Sequence, residues 1–139
     1  MTVRPAPQPL TLFGVAQRGM SAQLVRMNAA SSNLANAGSV STTMEASYRP
    51  IRPIFTEQFD RASGLSTVNV SAVVRSSAAP VKEHDPNHPL ADAEGNIWTA
   101  PVDENAEMVE MLDATRQYQN LVEALSTAKQ LMLETIRMK

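Results

Sequence analysis

From Asp103 to Lys139 the chain contains neither proline nor glycine, and its apolar residues repeat in alternating steps of three and four. Met111, Ala114, Tyr118, Leu121, Leu125, Ala128 and Met132 fall on one helical stripe. A stripe that narrow is the seam of a coiled coil, narrower than the apolar face of an ordinary core helix. Asp103 or Asn105 is suited to cap the start. Glu104, Glu107 and Glu110 place negative charge on the first turns, and Arg137 and Lys139 place positive charge on the last, as the helix dipole favours. At 1.5 Å per residue this helix reaches roughly 50 Å. A seam of that length needs a partner, and the partner restricts what the rest of the chain can be.

The chain has 139 residues, the length of one ordinary domain. It is 43% hydrophobic but only 4% aromatic, with 8 methionines and many alanines, which favours thin helix contacts over a thick core. The net charge of -2 carries no basic stripe, so neither nucleic acid nor an anionic membrane surface is an expected partner. Cysteine is absent, which removes disulfide and thiol chemistry. No apolar run approaches the roughly 20 residues that span a bilayer. Residues 1–9 lack the apolar middle of a secretory signal, so any export is expected to proceed without a cleaved leader.

Prolines 5, 7 and 9 predict a flexible Pro-rich tail over residues 1–9. A second helix is predicted from about Leu10 to Ala37, with Gly38 as its stop. Phe13, Met20, Met27 and Leu34 repeat at heptad spacing, with Ala16 and Ala30 on the same face and Gln23 interrupting it. The segment Ser31–Asn36 is polar and small. Either it frays, or Asn33 and Asn36 bond a neighbouring backbone and set a register.

Between residues 39 and 102 prolines recur and helical periodicity disappears. Val68, Val70, Ala72 and Val74 alternate with other residues as in a half-buried strand. Tyr48–Phe59 reads as a second extended piece, with Pro50 and Pro53 confining it to an edge. Ala93–Asn96 is a turn signal before a short strand at Ile97–Thr99. The expected fold is therefore mainly α: terminal helices over 10–38 and 103–139 paired as an antiparallel coiled-coil domain, and a small β-rich or irregular middle module over 39–102.

Chemistry has few places to reside. His84, Asp85, His88 and Asp92 form the one metal-like grouping, but Pro86 and Pro89 forbid the helix that would put both histidines on one face. A structured turn is the expectation, with no metal and no cofactor. Glu104, Glu107 and Glu110 read as a solvated first turn, not as acid–base machinery. Arg116, Gln117 and Asn120 lie beside the C-terminal seam and either face solvent or bond a neighbouring subunit.

Ser32-Asn33-Leu34-Ala35-Asn36, following an amphipathic N-terminal helix, resembles the signature of bacterial flagellar axial proteins of the rod and hook. Glu107–Met111, Arg116–Asn120 and Thr127–Gln130 look like the matching terminal helix. Asp85–Asp92, with Gly95 and Pro101-Val102, is similar to the short proximal-rod branch of that family. The resemblance covers about three quarters of the chain. It implies a structural, non-enzymatic subunit exported uncleaved by the flagellar type III apparatus and assembled helically in the periplasm. Its implied partners are other rod subunits and basal-body proteins, from the inner-membrane ring side to the distal rod, with no nucleic acid and no small-molecule substrate.

On this reading Phe13, Met20, Met27 and Leu34 pair with Met111, Tyr118, Leu121, Leu125 and Met132 along the seam. Asn33, Leu34, Asn36, Arg116, Tyr118 and Asn120 are the motif and subunit-contact residues. The rival readings are a soluble helical-hairpin adaptor or export chaperone, and a metal-dependent enzyme centred on His84, His88 and Asp92.

Overall fold

The computed structural model describes residues 11–138, so the expected tail over residues 1–9 lies outside the described residues. The first helix, α1, runs Leu12–Ala35. Thr11 caps it, its hydroxyl accepting from the Gly14 amide at 3.1 Å. The polar segment Ser31–Ala35 remains in the helix and does not fray. Asn36 closes it: its backbone N–H bonds Ser32 and Asn33 carbonyls, and its side-chain amide donates to the Ser32 carbonyl at 2.8 Å. Gly38 follows in the left-handed region, at φ 71°, which a side chain would disfavour. The second helix, α2, runs Glu104–Arg137. Asp103 is its cap, accepting from the Asn105 and Ala106 amides at 3.0 and 3.1 Å. At 1.5 Å per residue α2 spans about 51 Å and α1 about 36 Å, so α2 outreaches its neighbour.

Five strands lie between the helices: β1 Val40–Ser41, β2 Ile51–Asp60, β3 Leu65–Arg75, β4 Val81–His84 and β5 Asn96–Thr99. They form two separate sheets. β2 and β3 make an antiparallel hairpin, turned through Gly64 at φ 69° with the Asp60 carboxylate accepting from Ala62 and Ser63. Its register shifts after Ile54, where Ser71 is the extra residue of a bulge and its hydroxyl bonds the Ile54 carbonyl. The other sheet places β5 between β1 and β4, both antiparallel to it. The middle of the chain is thus more regular than its prolines suggest, and it divides. The hairpin packs on α1, whereas among the described residues the backbone of the β1–β5–β4 sheet does not come as close to either helix.

The interior is thin. Its buried apolar residues are Ala22, Ala29, Ala30, Ile97, Ala100 and Ala114. Alanine lets two helix backbones approach closely but buries little area, on the order of 25 cal/mol per Å². Polar contacts must therefore carry more of the tertiary specificity than in an ordinary core.

Candidate assembly site

The contacts between α1 and α2 rise along one helix as they fall along the other. Asn33 meets Glu107, Arg26 meets Glu110 and Asp113, and Gly19 approaches Leu121. On α1 these positions are 19, 26 and 33, one residue before each of Met20, Met27 and Leu34. These contact positions are seven residues apart, but the face they define is turned by one position, about 100° around the helix, from the one expected from the sequence. Met20, Met27 and Leu34 are half-buried, and Phe13 is 37% exposed. On α2, Met111, Tyr118, Leu121 and Leu125 are half-buried on the expected stripe, around a fully buried Ala114. Met132 stands clear of it at 52% exposure.

The tightest point is a junction of three elements. Asn33 is 0% exposed and its amide is fully used. Its Nδ2 donates to the Ile51 carbonyl and to Glu107 Oε2, both at 3.0 Å, while its Oδ1 accepts from the Ile51 amide at 2.8 Å and the Tyr48 hydroxyl at 2.9 Å. One side chain thereby joins α1 to the start of the hairpin and to α2. It bonds a neighbouring backbone, as one of the two sequence readings expected, but the backbone is its own chain's. No donor or acceptor of that amide is left for another subunit. Asn36 turns back on its own helix end. Arg116 and Asn120 are exposed.

Glu107 is 1% exposed and is held from the opposite side by Arg52, whose two terminal guanidinium nitrogens grip both carboxylate oxygens. Burial pushes the Glu107 carboxyl up. The Arg52 and Asn33 hydrogen bonds and the Arg52 charge together outweigh that, and the group titrates below its ordinary value of about 4.5. The Arg52 guanidinium is raised, chiefly by its hydrogen bond to Glu107. A second clamp lies a helical turn away. Arg26 bonds Glu110 through Nε at 2.7 Å and Asp113 through Nη2 at 2.9 Å, and its pKa is raised chiefly by the Glu110 bond.

A carboxylate with a depressed folded pKa stabilises the fold fully above its unfolded value, and that contribution disappears as the pH falls through the folded one. Thermal melts of this protein should therefore lose stability progressively below about pH 4.5. Glu107→Gln should be less stable at pH 7 and show a shallower acid decline. An acid branch identical in the two proteins would mean that Glu107 ionisation is not coupled to folding.

The sequence alone places Glu107 in a solvated first turn and does not single out Arg52; the structure instead buries Glu107, and half the signal for that was present. Glu107 lies four residues before Met111 and seven before Ala114, in phase with the α2 seam. A charge on a seam calls for a buried partner, but Arg52 is far away along the chain.

The loop that contains the two histidines is a built turn. Asp92 Oδ1 accepts from the Glu94 and Asn96 amides, His84 Nδ1 lies 3.3 Å from Asn96 Oδ1, and the Leu90 amide donates to His88 Nδ1. Gly95, at φ 75°, closes it where a Cβ would come within 2.9 Å of Pro86. Among the described residues no three His, Cys, Asp or Glu side chains come together as a metal-binding set, and no helix is long and apolar enough to cross a membrane.

An apolar groove of about 540 Å³ opens where α1, the hairpin and α2 converge. Leu12, Val15, Phe55, Val68, Leu121 and Leu125 line it. Beyond it the outer faces of α2 expose Val109, Leu112, Leu131, Leu133 and Ile136.

Residues 13–40 match the family model described as flagella basal body rod protein, and residues 93–138 match that of the flagellar basal body rod FlgEFG protein C-terminal region. The flagellar basal-body rod protein FlgC of Salmonella typhimurium is 40% identical over 129 residues, covering 91% of this chain and 95% of the relative. Its namesake from Escherichia coli O157:H7 is also 40% identical over the same share of each chain, and that from Yersinia enterocolitica is 36% identical over 127 residues.

Proposed function

The chain belongs to the FlgC family of flagellar basal-body rod proteins, and from that premise we propose how its fold serves as a structural subunit of the rod. The observation that carries the proposal is the pairing of near end-to-end similarity with two terminal helices whose apolar faces exceed what one chain can cover. The helices form the inner domain, an antiparallel coiled coil, and the β-rich part faces outward. Phe13, Met20, Met27 and Leu34 on α1, with Met111, Tyr118, Leu121, Leu125 and Met132 on α2, supply apolar surface to that domain and to its neighbours. Arg116 and Asn120 take part in subunit contacts. The subunit has no catalytic role. Its neighbours are rod proteins and basal-body proteins from the inner-membrane ring side to the distal rod. It reaches them through the flagellar type III export apparatus, in the periplasm, without loss of a leader.

A head-to-tail contact that does not close on itself builds a helical rod instead of a ring. The thin alanine interior fits such a role, because burial between subunits adds the area that the single chain lacks. The test is complementation. In a bacterium deleted for its FlgC relative, this chain should restore basal bodies, and Leu125→Asp should reduce their number at least tenfold while the purified variant keeps its helical circular dichroism. Normal rods built from Leu125→Asp would contradict the proposal.

A further inference from the structure

The groove and the end of α2 are both apolar, and neither is filled by the other within one chain. α2 lines the groove with Leu121, Ala124, Leu125 and Ala128, facing Leu12 to Gly19 of α1. The same continuous helix then runs on to Arg137. That extension, Lys129–Arg137, is about 14 Å long and cannot fold back into a groove that its own earlier turns help to build. Its apolar side chains are correspondingly bare. Leu131, Met132 and Leu133 are about half exposed, and Ile136 is 71% exposed.

We propose that the Lys129–Arg137 end of α2 in one copy seats in the α1–hairpin–α2 groove of a second copy. The inference rests on the rod-subunit reading and specifies which faces meet. The lengths agree: the groove extends along α1 from Leu12 to Gly19, about 11 Å, against about 14 Å of extension. The side chains suit an amphipathic helix laid in an apolar groove, with Met132 and Ile136 one turn apart and Leu133 beside them. The one charged residue among the groove's described lining is Glu57, and the extension carries Lys129 and Arg137 at its ends against Glu134 within it, two positive charges to one negative. Donor and acceptor faces are different surfaces of the same molecule. Taken with the rod-subunit reading, the contact is heterologous and repeats from copy to copy without closing.

The chain has no cysteine, so a disulfide reports this contact cleanly. Ile136 lies about 12 Å beyond Ala128, the last α2 residue lining the groove. A bridge requires Cα atoms within about 7 Å, so residues 16 and 136 of one chain cannot reach each other. Full-length Ala16→Cys and Ile136→Cys proteins, mixed at assembling concentration and oxidised, should yield mixed disulfide dimers at least tenfold above a control pair of Ala16→Cys with Ser77→Cys. Without oxidation, Ile136→Asp should raise the concentration for half-assembly at least tenfold, with helical circular dichroism unchanged because the side chain is exposed in the monomer. Three results would overturn the inference: mixed dimers no more abundant than in the control, normal assembly of Ile136→Asp, or an intramolecular bridge in Val3→Cys/Ala16→Cys that forms in their place. The last would assign the groove to the chain's own first residues. Failure of this contact in a chain that still restores basal bodies leaves the rod-subunit reading standing, whereas loss of complementation by the unaltered chain removes that reading itself.

Discussion

Asn33→Asp should destabilise the fold by about 3–5 kcal/mol at pH 7, the range for breaking a buried charged network. The substitution is nearly isosteric, so no cavity accompanies it. An aspartate carboxylate can still accept from the Ile51 amide and the Tyr48 hydroxyl, but it cannot donate to the Ile51 carbonyl or to Glu107. Instead it sets a second negative charge about one hydrogen-bond length from the first, where neither reaches water. Two carboxylates in that position raise at least one folded pKa. A raised folded value reverses the usual sign. The variant is weakest at neutral pH and recovers as the pH falls and one carboxyl takes up a proton, whereas the parent protein is flat there and declines only in stronger acid. The stability gap between parent and variant, read by urea denaturation, should therefore narrow between pH 7 and pH 5. A loss below about 1 kcal/mol, or a gap that does not change with pH, would show that the junction is hydrated in solution. Against a total stability of about 5–15 kcal/mol for a domain, the expected loss is enough to leave a large unfolded fraction.

The second large effect is expected at Ala114. This residue is fully buried one position past Asp113, which Arg26 holds, and the buried apolar residues of α1 are Ala22, Ala29 and Ala30. A helix pair closed on alanine has no slack for a larger side chain. Ala114→Phe should push the helices apart and cost about 3 kcal/mol, the upper part of the range for overpacking. Separation also stretches the Arg26 and Asn33 contacts, which lie toward the start of α2, so the loss should be coupled to them. In a double-mutant cycle, Ala114→Phe combined with Arg26→Ala should cost less than the sum of the two singles. Val122→Phe, on an exposed part of the same helix, is the control and should change stability by no more than about 0.5 kcal/mol. Equal melting curves for Ala114→Phe and the parent would mean that the helices are not closely packed at this point.

The two helices were legible in the residues because their signals are local. Apolar steps of three and four, the Asp103 cap and the Gly38 stop all act within a turn or two of backbone, and the described helices end within a few residues of where those signals place them. Ile97–Thr99 was legible for the same reason, as a short apolar run after a turn. β1 and β4 were not: strands of two and four residues form here by exchanging backbone hydrogen bonds with β5, which lies between them. The phase of the α1 contact face was hidden as well. An apolar pattern points to Met20, Met27 and Leu34, but the face that meets α2 carries Gly19, Arg26 and Asn33, whose value there lies in small size and hydrogen bonding. Residue type alone marks arginine and asparagine as solvent-facing. Only the fold, by bringing Glu107 and Ile51 against Asn33 and Arg52 against Glu107, makes burial of these polar groups favourable. The sequence by itself therefore determined where the helices form and which family motif they carry. The tertiary structure decided which faces meet, because a buried polar contact draws its energy from partners that are distant along the chain and adjacent only once it has folded.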